Sequence, residues 1–128
     1  LILNYVEKNY TKIMSNSSIE NAIKFLIKKK TTEGYIVSKD NVFIGKVSLI
    51  NLINKTGANL LEHIEIKPMI IDPSSNLLFV IKKLSNFVGE SIPVVNKKTN
   101  EMLGIISENN VLTAYLEISE EINQIEKH

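Results

Sequence analysis

The chain has 128 residues, 44% of them apolar and 23% charged, with a formal net charge of +1. That balance describes one compact unit with a real core, and it lacks the strong basic excess of a nucleic-acid binder. No Cys is present, which excludes disulfides and thiolate-metal sites, and His63 and His128 stand too far apart for a zinc site to be expected.

In chain order the pattern opens with an extended segment at Lys12–Ser15. Ile19, Ala22, Ile23 and Leu26 then recur at i, i+3, i+4 and i+7, the stripe of a helix lying on a core. The Ser and Asn residues just before the stripe supply N-caps, and Lys28–Lys30 read as a solvated helix end that complements the dipole. Strands are expected at Tyr35–Val37 and Phe43–Val47, joined by a polar turn at Ser38–Asn41 into an antiparallel hairpin. A helix follows from Ser48, and "ANLLEHI" forms a linker helix, with the join near Ile64–Ile66.

The same order then returns at an offset near 58 residues. It comprises an extended Lys67–Ile71, a helical stripe of Leu77, Val80, Ile81 and Leu84, and strands at Ile92–Val95 and Met102–Ile106. The turn between these strands is Asn96–Asn100, and a last helix starts at Ser107. Gly45 and Gly104 are equivalent positions. One half has too little surface to bury its own sheet. The expectation is therefore an α+β fold of two repeats, residues 1–65 and 66–128. Their sheets should pack about a pseudo-twofold axis and bury Ile36, Val47, Val94 and Ile106.

The order β-α-β-β-α, the "IPVV" strand and the Gly-x-x-Ser-x-x-Asn junction at 104–110 resemble the CBS domain, a module found as tandem pairs. Asp72–Pro73, Ile92–Val95, Gly104 and Ser107 fit the pattern well. The first copy is more divergent, with Tyr35 where Pro93 stands. The stretch "GESIPVVNKKTNEMLGIISENNVLTAYLE", above all "VLTAYLE", resembles the end of the cytosolic CBS pair of bacterial ClC-type chloride channels and transporters, and "GYIVSKDNVFIGKVSLINLI" resembles its first copy.

The residues themselves point to the junction. Ser107 is placed to cap a helix, where free N–H groups and the positive dipole end favour an anion such as phosphate. Asn110 lies one turn on and can reach a hydroxyl beside that anion. The bland alternative is that Ser48 and Ser107 are N-caps and nothing more. The resemblance implies composite sites for an adenine nucleotide (AMP, ADP or ATP), each made by one repeat's junction and the other repeat's entry strand. One site would use Ser107 and Asn110 with Thr11, Thr31 and Thr32. The other would use Ser48 and Asn51 with Met69, Gly89 and Glu90, and Glu90 would repel a phosphate there. Both repeats depart from the family, which has Asp where Asn51 and Asn110 stand. The chain also has no Arg to clamp a phosphate.

No nucleophile–base pair, P-loop or dinucleotide fingerprint is visible, so an independent enzyme is not expected. Glu117, Glu120, Glu121 and Glu126 read as a solvated face and His63 as a surface residue. Tyr115, Ile118, Ile122 and Ile125 are spaced as on a helix seam, which is either core or a partner-facing surface. No apolar run approaches a membrane span. The start at Leu1 suggests a piece of a longer protein, and the ClC resemblance implies a membrane transport domain in the same parent chain. The expected setting is the cytoplasmic side of a membrane, as a homodimer, without nucleic acid and without insertion of this segment.

Overall fold

The computed structural model describes residues 2–55, 59–66, 68–86 and 91–126. Its elements are β1 (Lys12–Met14), α1 (Ile19–Lys28), β2 (Glu33–Val37), β3 (Phe43–Ser48), α2 (Leu49–Leu52), α3 (Leu77–Ser85), β4 (Ile92–Val95), β5 (Met102–Ile106) and α4 (Glu108–Glu126). Short 3-10 turns at Ile2–Tyr5 and Leu60–His63 precede the two repeats. The expected linker helix is this second 3-10 turn.

Local signals explain the helix starts. Ser18 Oγ accepts from Asn21 N (3.1 Å), and Asn76 Oδ1 accepts from Phe79 N (2.9 Å), satisfying N–H groups that would otherwise lack partners. Ile19, Ala22 and Leu26 are buried beneath α1, whereas α3 buries Val80 fully and Leu77, Ile81 and Leu84 in part. In the turn before α3, the Asp72 carboxylate accepts from Ser74 Oγ and from the N–H groups of Ser74 and Lys97. These bonds, Ser74 Oγ first, lower its pKa to about 2.

β2 and β3 form one antiparallel hairpin and β4 and β5 the other. β1 lies parallel to β2, with Ile13 opposite Ile36, and Ile71 bridges Val94 in parallel. Both pairs are separated by the same 58 residues, so the internal repeat is structural as well as sequential. The hairpin tips join the repeats. Phe43 N donates to Asn100 O (2.8 Å) and Met102 N to Asn41 O (3.0 Å). Asn41 and Asn100 both take φ near +63°, a conformation that Asn tolerates better than most residues.

The leading segments are exchanged between repeats. Glu7 pairs with Ile105 on the second sheet, and Glu65, its counterpart 58 residues on, pairs with Lys46 on the first. Ile2 accordingly packs in the core of the second half and Leu60 in that of the first. The N-terminal segment 2–7, which the sequence groups with residues 1–65, thus lies as a strap on the second sheet.

Ile36, Val47, Val94 and Ile106 are buried as expected, but on a different face. They pack toward α1 and α3, and the contact between the sheets is made by Tyr35, Val37, Val95 and Met102 with Tyr10, Phe43, Ile70 and Ile105. The central strands are covered on both faces, so Ile92–Val95 are all buried.

Candidate functional site

β5 delivers Ser107 to the start of α4, where a reciprocal cap forms. Asn110 N lies 3.4 Å from Ser107 Oγ, while Asn110 Oδ1 accepts from both Ser107 N and Ser107 Oγ (2.8 Å each). This is a capping box with Asn at the position that Glu or Gln usually takes. It has a chemical consequence. The carbonyl oxygen expected to meet a ligand hydroxyl already holds two donors, and what Asn110 can still offer is its NH2 group.

Asn110 also lines a cavity of about 510 Å³ with Asn4, Tyr5, Val6, Glu7, Thr113 and Glu117. Tyr5 OH donates to Glu117 (2.8 Å), and that bond, before any other cause, raises the Tyr5 pKa. Two carboxylates, Glu7 and Glu117, make this strap side of the junction hostile to phosphate.

The other residues of the first expected site sit at the edge of the first sheet. Thr11 O accepts from Tyr35 N (2.9 Å), and Thr32 O accepts from Leu49 N (2.8 Å). Thr31 Oγ1 faces its own neighbour, Glu33. None of the three lines the cavity that holds Asn110. Tyr10 and Ile105, which adjoin Thr11 and the Ser107 junction in sequence, do pack in one apolar cluster. The two segments therefore meet on the face between the sheets.

In the second expected site Ser48 Oγ accepts from Asn51 N (3.3 Å) at the start of α2, a single turn with little dipole of its own. Asn51 lines a cavity of about 330 Å³ with Ile50, Ile53, Lys55 and His63. His63 is half-buried there rather than a plain surface residue. Met69 packs on the second core, and Gly89 and Glu90 lie outside the described residues.

A polar cluster on the inter-sheet face joins residues that no sequence pattern pairs. Tyr35 OH reaches Ser91 of the other repeat, touching its hydroxyl and, at 3.3 Å, its carbonyl oxygen. Lys46 Nζ lies 3.0 Å from Glu33 Oε2 with both side chains largely buried. The available signal was a Lys inside the apolar strand "FIGKV" and a Tyr at the position of Pro93. Among the described residues no group of three or more His, Asp or Glu could hold a metal ion, and no helix is long and apolar enough to cross a membrane.

Two hairpins related by a 58-residue repeat, crossed leading segments and a capped junction after the second hairpin define a tandem two-repeat α+β module. Residues 62–117 match the family model of the CBS domain. No curated protein matches the sequence. Among solved structures, CbpB in complex with c-di-AMP superposes with a TM-score of 0.79 at 13% identity, covering 94% of this chain and 87% of that one. The CBS pair domain of a putative Mg2+ transporter from Shewanella oneidensis gives 0.77 at 13% identity, covering 90% and 69%. CBSX2, a CBS-pair protein of Arabidopsis thaliana, in complex with AMP gives 0.75 at 20% identity, covering 92% and 97%. Residues 62–117 are thus similar in sequence to the CBS domain, and the chain as a whole has the fold seen in CBS-pair structures.

Proposed function

We propose that this CBS pair is a regulatory module that senses an adenine nucleotide in the cleft between its repeats, as the cytosolic part of a ClC-type chloride channel or transporter. The observation that carries the sensor role is the Ser107–Asn110 junction at the start of a 19-residue helix, facing the inter-sheet region through Ile105. Two of the similar structures were solved with AMP and with c-di-AMP, which supports a nucleotide as the ligand class. The "VLTAYLE" stretch supports the ClC parent over a different transporter or an enzyme, and in such a parent the module would lie on the cytoplasmic side. Ligand binding would alter the packing of the two repeats and pass that change to a membrane transport domain in the same parent.

Asn110→Asp tests the site. Aspartate keeps one oxygen for Ser107 N and Oγ and turns the remaining NH2 into an anionic acceptor suited to ribose hydroxyls. A hydrogen bond to a charged group contributes about 1.5–3 kcal/mol, so affinity should rise about 10- to 150-fold. Calorimetric titration of both proteins with AMP, ADP and ATP reads this directly. Heat from none of them at millimolar ligand would remove the sensor role.

A second reading is a nucleotide-free homodimerisation scaffold, and its dimerisation part is supported by α4. Beyond Ala114 the helix buries almost nothing, and Tyr115, Ile118, Ile122 and Ile125 are 54%, 39%, 49% and 74% exposed. Four large apolar residues on one stripe suit a symmetric helix–helix interface, which serves a sensor and a scaffold alike. The expected result is a dimer by light scattering that Ile122→Lys converts to monomer. A wild-type monomer at high micromolar concentration would contradict it.

A further inference from the structure

We infer that the second repeat carries a separate site for a small aromatic amine, in the apolar cavity where the N-terminal strap meets α3 and α4. It goes beyond the nucleotide reading and does not depend on it. The cavity measures about 300 Å³ and is walled by Ile2 and Tyr5 of the strap, Ser75 and Leu77 at the start of α3, and Ile118 of α4. None of Thr11, Thr31, Thr32, Ser107 and Asn110 lines it. Ile2 fixes one wall, being buried in the same core cluster as Val80 and Ile106. A concave apolar space with a few polar groups is the usual form of a small-molecule site. An apolar cavity of about 150 Å³ already holds a benzene ring, so twice that volume suits a bicyclic ring with a short side chain.

The head group follows from charge. Tyr5 also lines the larger cavity that contains Glu7 and Glu117, so it stands between the two spaces. Its hydroxyl donates to Glu117 Oε2 at 2.8 Å. The Tyr5 pKa is raised, first by that bond and further by the charges of Glu117 and Glu121, which marks a negative potential at this boundary. On the opposite side the Asp72 carboxylate accepts from the hydroxyl and N–H of Ser74, another residue of the cavity wall. Among the described residues no Lys lines either cavity, and Glu117 makes no ion pair. An anionic ligand is therefore repelled here. An ammonium reaching past Tyr5 instead meets in Glu117 a carboxylate with lone pairs to spare. Because the walls come from three elements, an occupant would pin the strap to both helices of the second repeat.

Amide NMR titration of the chain with tryptamine, tryptophol and indolepropionate tests the inference. The three share one ring system and differ in the charge of the head group. Tryptamine should shift the Tyr5, Leu77 and Ile118 amides, with a dissociation constant on the order of 0.1–1 mM. The neutral alcohol should bind about two- to fivefold more weakly, as expected for one solvated ion pair, and the acid more weakly still. Glu117→Gln should bring the amine and the alcohol together. Ser75→Leu keeps the Ser75 N–H bond to Asp72 O and should fill the cavity, abolishing the shifts while the thermal melt stays cooperative. Ile118→Trp, on the exposed side of α4, plugs the same space if Ser75→Leu fails to fold. Shifts at these amides from none of the three ligands overturn the inference, as does an acid that binds as well as the amine. An amine preference that survives Glu117→Gln, or binding that survives a folded plugged variant, overturns it too.

Discussion

Val94→Asp should abolish folding. Val94 is fully buried in β4, opposite Gly104 across the hairpin and bridged in parallel to Ile71. Around it lie Ile2, Ile71, Val80, Ile92 and Ile106, an apolar shell without a cation or a spare donor in its side chains. An ionised carboxylate there would have no partner, and even the neutral acid would bury a hydroxyl and a carbonyl among hydrocarbon. The cost is several kcal/mol, against a total stability of about 5–15 kcal/mol for a domain of this size. Val94→Ala separates charge from volume. It should cost on the order of 2 kcal/mol through lost contacts and leave a cooperative, lower melt. Thermal melts followed by circular dichroism read both variants. A cooperative wild-type transition from Val94→Asp would show that β4 is not core.

The hairpins and their repetition were legible because turn residues and short β-branched runs are local signals. Asn41 and Asn100 mark turns, and Ser18 and Asn76 mark helix starts, without reference to distant residues. The faces were not legible. A strand buried on both sides loses the period-2 alternation that assigns its residues, so Ile36 and Val94 could not be told from Tyr35 and Val95 by pattern. The crossed straps were hidden for another reason: each attaches through a single bridge, Glu7–Ile105 or Lys46–Glu65, which is too short to leave a strand pattern. At the site, the residue types at the junction were readable, but their hydrogen-bond states were not. Whether Asn110 presents its oxygen or its amide depends on Ser107 claiming the oxygen, and the Tyr35–Ser91 contact joins residues 56 positions apart.

The strap yields the second large effect. Gly104→Ala should detach residues 2–7 from the second sheet and destabilise the protein by about 2–4 kcal/mol. Gly104 has φ +154°, where a side chain is strained, and an added Cβ would stand 2.5 Å from Glu7 O and collide with Val6 Cγ1. Glu7 O cannot step aside cheaply, because it accepts from Ile105 N at 2.9 Å while Glu7 N donates to Ile105 O at 2.8 Å. Relief therefore means lifting the strap, which breaks this pair and uncovers Ile2. Gly34→Ala is the informative contrast. Its Cβ would meet Ile13 Cδ1 at 2.7 Å, the end of a side chain that can turn, so a smaller cost is expected. Urea denaturation measures the totals, and amide hydrogen exchange locates the change. In Gly104→Ala the Glu7 and Ile105 amides should exchange rapidly, while the amides between β4 and β5 stay protected up to global unfolding. Wild-type stability with unchanged protection at Glu7 would mean that the strap does not lie against Gly104.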